Sequence, residues 1–285
     1  MKHLLSVVLL AALWLLTPQA ASAQAQYTPA DSLRIVQLMA KAAKQPQSSN
    51  LVLYLARQLR GIPYVAKTLE KNDRERLVVN IRELDCTTYV ENVLAMYLCV
   101  KAGHTDFASY CRQLQAIRYQ GATVAYTHRL HYFSSWIDEN TRCGRVVEVS
   151  SPNPPFSRTQ KPQIDYMTKH VEQYPMLVKN PSWVEDIRQM EQSLAGRTYK
   201  YIPKSAIRNT RLLRKTIHDG DIIAIATKKQ GLDTSHIGIA VWHNDGLHLL
   251  NASMIRKKVV EEPKTLYTYM QEHPSQLGIR IIRIK

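Results

Sequence analysis

A change of pattern near Gly196 constrains the fold of this chain more than any other feature. Before that residue, apolar side chains recur mainly at the three- and four-residue spacing of amphipathic helices. Beyond it they form short β-branched or alternating runs separated by turn residues. Helices first and strands later predict an α+β domain with segregated elements, not a parallel doubly wound sheet. The 45% apolar composition is enough to bury a full core.

The helical half has recognisable boundaries. Thr28 and Pro29 have the chemistry of an N-cap followed by proline at the first helical position, which predicts a helix to about Lys44. Apolar spacing predicts further helices over 51–59, 86–101, 107–117 and 129–140. Residues 77–81 have the composition of a short strand, and the proline-rich run 151–156 predicts a linker or exposed loop.

In the second half, strands are predicted over 222–226, 236–242, 247–251 and 278–284. The length of the loop between the strands 236–242 and 247–251 decides which of their side chains lie on the same face. With a two-residue loop at Asn244-Asp245, His236 pairs with Ser253 and shares a face with Asn251. A three-residue loop would place His236 and Asn251 on opposite faces.

Residues 1–23 have the pattern of a secretory signal peptide: a basic start, an apolar stretch from Leu4 to Leu16 and the small residues Ala21-Ser22-Ala23. We expect a mature chain from about Gln24, forming one domain over 24–285 and acting in the periplasm or outside the cell. No second stretch of about 18 apolar residues follows, so no membrane span is expected.

Lysine and arginine outnumber acidic residues by 38 to 23, for a formal net charge of +15. This charge favours an anionic partner, and cell-wall carboxylates or anionic envelope polymers fit a secreted protein at least as well as nucleic acid does. A solvated basic surface explains the charge equally well. Because no nucleic-acid-binding motif accompanies it, we expect no nucleic-acid partner.

One cysteine, Cys86, follows Asp85 where a loop becomes a helix. First-turn N–H groups and the helix dipole stabilise a thiolate there and can receive a developing oxyanion. The alternatives are a disulfide partner or a core filler. Cys99, on the same predicted helix, would lie about 20 Å from Cys86, too far for a disulfide. Pairing among Cys99, Cys111 and Cys143 stays open.

His236 opens an apolar strand, and Asn251 lies on the next one. Alone, such a histidine is usually structural. In the two-residue-loop register, however, the pair forms a base with its orienting partner, and with Cys86 this is the logic of a catalytic triad.

Four motifs in chain order resemble the NlpC-type papain-like cell-wall hydrolases: Asp85-Cys86, Asp219-Gly220-Asp221, Ser235-His236-Ile237-Gly238 and Asn251-Ala252-Ser253. Three further segments are similar to the secreted N-acetylmuramoyl-L-alanine amidase-like branch of those hydrolases: Gly61–Tyr64, Arg129–Phe133 and Trp136-Ile137. The likeness covers about residues 30–285. It implies an NlpC-type papain-like α+β fold with a helical N-terminal portion, whose nucleophile helix packs on a central antiparallel sheet.

The resemblance implies a cysteine amidase that cuts muropeptides between N-acetylmuramic acid and L-alanine, without metal or organic cofactor. Cys86 is then the nucleophile, His236 the base and Asn251 its orienter. The superfamily more often has Ser-Gly where this chain has Thr87-Thr88, and histidine in place of Asn251. An asparagine oxygen can still accept the imidazole N–H. The alternatives are a D-glutamyl-directed stem-peptide endopeptidase of the same fold and a catalytically inactive wall-binding module.

The resemblance also implies that Tyr64, Asp85 and Ser235 line the substrate cleft, with the Tyr64 hydroxyl near the nucleophile and Asp85 recognising polar substrate atoms. Equally simple interpretations are a buried aromatic for Tyr64 and an N-cap for Asp85. A further set shares one face of the helix predicted over 129–140, where it can stack on a sugar and hold a carboxylate or simply fill the core: Arg129, Tyr132 and Trp136.

A zinc site is an alternative to the cysteine mechanism. His128 and His131, with Asp138 or His170, offer ligand atoms. No His-Glu-x-x-His motif or paired-cysteine spacing accompanies them, so a zinc hydrolase is disfavoured.

Overall fold

The structure is a computed structural model that describes residues 25–285. Its α-helices are α1 Pro29–Ala42, α2 Leu51–Gln58, α3 Cys86–Lys101, α4 Phe107–Arg118, α5 Phe133–Arg142, α6 Tyr166–Lys169, α7 Pro175–Lys179, α8 Trp183–Leu194, α9 Arg211–Thr216 and α10 Leu266–Gln271. Its strands are β1 Val146–Val149, β2 Arg158–Gln160, β3 Tyr199–Pro203, β4 Ile222–Thr227, β5 Thr234–Trp242, β6 Leu247–Ser253, β7 Lys258–Glu261 and β8 Gln276–Ile284.

The strands form one sheet in the order β2-β3-β8-β4-β5-β6-β7, and β1 pairs with β8. Every pairing between these strands is antiparallel. The chain therefore has a mixed α/β fold with an antiparallel sheet, as its sequence predicts.

The sheet buries a different core on each face, because successive side chains of a strand point to opposite sides. On one face, Ile237, Ile239 and Leu250 belong to the large core that the helices α1 to α5 complete. On the other face, Ala240 and Leu249 join a smaller core with residues of α9 and α10.

The helix α3 is the centre of the large core. Its residues from Thr88 to Met96 are all buried, and it packs against β5 and β6 of the sheet. A capping box fixes its start, since the Asp85 carboxylate accepts the Thr88 N–H and the Thr88 hydroxyl accepts the Asp85 N–H. Gly103, which the sequence places at the helix end, has φ +78° just beyond it.

A third apolar cluster joins α6, α7 and α8 to Tyr126 and Tyr132. Glu191 of α8 is the polar centre of this cluster. One of its oxygens accepts hydrogen bonds from the Tyr132 hydroxyl (2.7 Å) and the Met167 N–H (2.9 Å). This segment of short helices and turns depends on specific side-chain hydrogen bonds as well as on apolar burial.

Two sequence predictions are wrong at the level of elements. Residues 77–81 are not a strand: Val78 makes only an isolated bridge to Gln26, and the buried Asp31 carboxylate accepts the Ile81 N–H. The segment is apolar because it is buried in the core beside α1, and a buried loop can have the same composition as a strand. The helix predicted from 129 begins only at Phe133, because Arg129 and Tyr132 have extended backbone.

The four cysteines are free thiols in this structure, and Cys143 is exposed. Within residues 25–285, no helix is both long and apolar enough to cross a membrane. The signal peptide predicted over residues 1–23 lies outside the described residues.

Candidate active site

Cys86 is the first residue of α3, and only part of its side chain reaches solvent. Burial, and next the Asp85 carboxylate, raise the pKa of the Cys86 thiol to about 12. Hydrogen bonds from the Ile237 N–H and from Thr87 act in the opposite direction and are outweighed. Burial and the Asp85 charge thus oppose the thiolate that the first-turn N–H groups favour.

His236 and Asn251 lie on the neighbouring strands β5 and β6. The hairpin between them has the two-residue loop, because the His243 N–H bonds the Gly246 carbonyl and Ile239 pairs with Leu250. This is the register that the sequence needed to bring the two side chains together. The His236 Nε2 and Asn251 Oδ1 atoms are 2.8 Å apart.

The hydrogen bonds of Asn251 determine which nitrogen of His236 carries the proton. The Asn251 amide nitrogen donates to the Leu249 carbonyl (3.2 Å), which leaves Oδ1 to face the imidazole. An amide oxygen only accepts, so Nε2 of His236 is the donor. Nδ1 then keeps its lone pair and is the nitrogen that can take a proton.

Gly238 makes room for this pair. A Cβ at Gly238 would lie 2.9 Å from the Asn251 Cβ and 2.8 Å from a Leu249 methyl carbon. No side chain larger than hydrogen fits there without moving Asn251. Burial lowers the pKa of His236 below its usual value although the Asn251 bond opposes it. The imidazole is therefore neutral at neutral pH and able to act as a base.

Cys86 and His236 line the same cavity, which has a volume of about 240 Å³. Ser235 lines it too, as do residues from the third apolar cluster and its connections: Leu130, Tyr132, Phe133, Met167, Tyr174, Leu232 and Asp233. The cavity thus brings a thiol and a neutral imidazole to one concave surface with aromatic and polar walls.

A second cavity of about 190 Å³ adjoins the first, and Thr87, Leu130, His131 and Tyr174 line both. Asp85 lines the second cavity beside buried ion pairs. Arg118 and Glu91 are joined at 2.7 Å with both side chains almost inaccessible, and Arg129 is paired with Glu70 and Glu75. The cleft therefore continues past Cys86 into a charged recess.

The predicted substrate residues Tyr64 and Asp85 lie beside Cys86. The backbone of Tyr64 forms an isolated β-bridge with Leu84. Burial, and then the charges of Cys86 and Asp85, raise the pKa of the Tyr64 hydroxyl to about 12. Asp85 is the N-cap of α3, so the capping interpretation is correct. Because Asp85 also lines the charged recess, the cap does not exclude a role with substrate.

The structure corrects the proposed sugar platform. Trp136 has no exposed surface and stacks on Phe133 inside the large core, so it cannot contact a ligand in this conformation. Arg129 precedes α5, and the three residues do not share a helical face. Arg129 instead lines the charged recess and Tyr132 lines the Cys86 cavity. The aromatic spacing was the signature of a buried helix.

Sequence reasoning missed Met167 and Tyr174, which line the cleft from the segment before α8. Nothing in their local pattern marks them, because they reach the cleft through the folding of short, irregular elements.

The histidines considered as zinc ligands have other contacts. His131 bonds the Tyr126 carbonyl through Nε2 at 2.8 Å, and burial together with Arg129 lowers the pKa of His131 to about 3. The His170 ring packs against the Tyr166 ring, with the two planes tilted by 44°. Among the described residues, no group of three histidine, cysteine or acidic side chains is arranged to hold a metal ion.

The model of the N-acetylmuramoyl-L-alanine amidase-like family matches residues 54–279. Two crystal structures of an N-acetylmuramoyl-L-alanine amidase from Bacteroides uniformis ATCC 8492 are 36% identical to this chain, with TM-scores of 0.76 and 0.74. They cover 86% and 82% of it, and 99% and 98% of their own chains. A Bacteroides fragilis protein proposed as a xylanase is 38% identical over 80% of this chain and 99% of its own, with a TM-score of 0.74. None of the curated proteins compared matches the chain.

Proposed function

Because the chain belongs to the N-acetylmuramoyl-L-alanine amidase-like family, we propose that it hydrolyses the amide between N-acetylmuramic acid and L-alanine in muropeptides, with Cys86 as nucleophile. The observation that carries the proposal is the hydrogen bond between His236 Nε2 and Asn251 Oδ1. It leaves Nδ1 of a neutral imidazole as a base in the cavity that also holds the Cys86 thiol.

In the proposed reaction, the Cys86 sulfur attacks the lactyl carbonyl while its proton passes to Nδ1 of His236. Backbone N–H groups at the start of α3 receive the oxyanion. The imidazolium protonates the L-alanine nitrogen as the amide bond breaks, which leaves an acyl-thioester on Cys86. Water, deprotonated by the same histidine, then releases the muramyl product and regenerates the thiol.

The raised pKa of Cys86 fits proton transfer during attack and not a preformed ion pair. Asn251 carries no charge, so its contribution is to hold the ring and its tautomer. We further propose that the arrangement is NlpC-type and papain-like, with a nucleophile helix packed against strands that carry the base. Neither step requires a metal ion or an organic cofactor.

The proposed substrate implies action in the periplasm or outside the cell, in agreement with the signal peptide predicted over residues 1–23. The substrate-binding residues of this proposal are Tyr64, Asp85, Ser235, Arg129 and Tyr132, all of which lie at or beside the two cavities. The charged recess matches a stem peptide, whose carboxylates and amines need partners of both signs.

Mass spectrometry of the products from a defined muramyl-tripeptide tests the proposal. We expect free N-acetylmuramic acid and an intact stem peptide with a new N-terminal L-alanine. Release of the third stem residue, with muramyl-L-Ala-D-Glu as the other product, would establish the endopeptidase alternative instead, with Cys86 and His236 keeping their roles. Binding without any product from several muropeptides would favour the inactive wall-binding module.

A further inference from the structure

Glu262, immediately after β7, is a buried acidic residue that the proposed mechanism does not use. Its side chain is only 3% exposed. One carboxylate oxygen, Oε2, lies 3.4 Å from the Arg256 Nε, and Oε1 has no hydrogen-bond partner among the described residues. Burying a carboxylate oxygen without a partner is costly, so its retention at this position requires an explanation.

The strand register places Glu262 on the face of the sheet that carries the proposed base. Its N–H bonds the Leu249 carbonyl at 2.9 Å, and Asn251 pairs with Val260. Since side chains alternate along a strand, Glu262 shares a face with Leu249 and Asn251. His236 reaches Asn251 on that same face. A buried negative charge therefore lies on the same side of the sheet as the imidazole.

The charged and titratable groups around His236 come from several elements. The helix α3 contributes Asp85 at its N-cap, the residue His273 follows α10, and Glu262 follows β7. Glu262 and Asp85 favour the imidazolium, whereas burial and His273 oppose it. Arg256, in the turn between β6 and β7, partly offsets the Glu262 charge. Burial, and to a smaller extent the charges of Glu262 and Cys86, raise the pKa of the Tyr269 hydroxyl in α10.

This surrounding charge matters because the direct partner of His236 is neutral. The Asn251 oxygen orients the ring and favours the imidazolium through one hydrogen bond, but it brings no negative charge to the cation that forms when the thiol loses its proton. A carboxylate buried on the same face of the sheet can supply that charge through a poorly screened interior. The other acidic residue that favours the imidazolium, Asp85, already caps α3.

We propose that Glu262 is a positioning residue for this reaction, a buried charge that stabilises the His236 imidazolium in place of a charged third triad residue. The inference rests on the proposed function, in which His236 is the base. Glu262 touches neither substrate nor thiol in this role and acts through the field at His236.

The first test is the pH profile of kcat/KM for Glu262→Gln on muramyl-tripeptide. Glutamine keeps the volume and an acceptor for Arg256 but removes the charge. Without that charge the pKa of His236 falls, so the acidic limb moves to lower pH by about 0.3 to 1 unit. We expect kcat/KM at its plateau to fall about 3- to 10-fold, because the imidazolium is less stabilised in the transition state.

The second variant, Arg256→Gln, removes the cation that offsets Glu262. Because a nearby cation disfavours the imidazolium, its removal should raise the pKa of His236 and move the acidic limb of the kcat/KM profile to higher pH. The control is Glu261→Gln, one residue earlier, whose carboxylate pairs with Arg57 and His243 at the surface. It should leave the limb in place. Damage to the fold would not produce shifts of opposite sign in the first two variants.

An NMR titration of the His236 ring, assigned with His236→Gln, provides a readout that needs no substrate. The ring pKa should move down in Glu262→Gln and up in Arg256→Gln. An unchanged ring pKa in Glu262→Gln, or shifts of the same sign in both variants, would overturn the inference. This result is distinct from failure of the proposed function, which would show as turnover by Cys86→Ala whatever the pKa of His236.

Discussion

The cleft has two sides that are built in different ways. The floor, which we define as Cys86, His236 and Asn251, lies on regular elements: the start of α3 and the neighbouring strands β5 and β6. The wall, defined as residues 126–132 and 164–194, consists of short helices, turns and extended segments. Backbone hydrogen bonding and glycine packing fix the floor, whereas individual buried side chains such as Glu191 fix the wall.

From this difference we expect the floor to carry the reaction and the wall to recognise the substrate. Regular elements hold reacting groups at reproducible spacing, which proton transfer and nucleophilic attack require. Irregular elements can change their outline without disturbing the sheet, so they are suited to selecting substrates. Floor substitutions should then change turnover with little effect on folding. Wall substitutions should change folding or substrate binding first.

The largest expected effect is that of Cys86→Ala at the floor. It removes the proposed nucleophile, so turnover of muramyl-tripeptide should fall by at least about 10⁴-fold while the melting temperature changes little. Initial rates and thermal unfolding measure the two quantities. Cys143→Ala, at an exposed thiol, is the control and should retain full activity. Turnover by Cys86→Ala would place the nucleophile elsewhere.

The next largest effect is expected for Trp136→Ala, which tests whether Trp136 fills the core instead of contacting substrate. A fully buried indole packed on Phe133 leaves a large cavity when truncated, which costs about 3–5 kcal/mol in the free energy of unfolding. Urea denaturation measures it, and Trp136→Phe should lose much less because it keeps a ring. A variant of normal stability that fails only on sugar-bearing substrate would restore the sugar-platform hypothesis.

Asn251→Ala sharpens the description of the floor. Without its oxygen the imidazole loses its orienting partner, and turnover should fall about 10- to 1000-fold, equivalent to roughly 1.4–4 kcal/mol of transition-state stabilisation. KM should change little. Asn251→His, which keeps an acceptor, should retain more activity. If the alanine variant were fully active, the orienting group would lie elsewhere, and Ser253 would be the first residue to replace.

The smallest effect is expected in the wall, from Glu191→Gln. The change weakens the acceptor for the Tyr132 hydroxyl and the Met167 N–H, which should lower the free energy of unfolding by about 1–3 kcal/mol. We expect KM for muramyl-tripeptide to rise while kcat is largely kept. Glu185→Gln, at an exposed position on the same helix α8, is the matched control. A fall in kcat with unchanged KM would break the division between wall and floor.

Much of the fold followed from local signals. The helix Cys86–Lys101 has its predicted bounds, because a capping box begins it and apolar spacing continues to Gly103. The strands near residues 222, 236, 247 and 278 were also predicted to within a few residues. Where burial came without regular structure, as at 77–81, composition alone could not distinguish a buried loop from a strand.

The sequence by itself indicated the candidate reacting groups, since a cysteine at a helix start and a histidine and an asparagine on neighbouring strands are local patterns, but it left open the length of the hairpin loop that brings the last two together. Only the tertiary structure decided the rest. It buried Trp136, brought Met167 and Tyr174 to the cleft, and placed Glu262 on the His236 face of the sheet. Long-range packing sets burial, and burial decides which groups reach substrate and which proton each one holds. Local spacing carries no information about either.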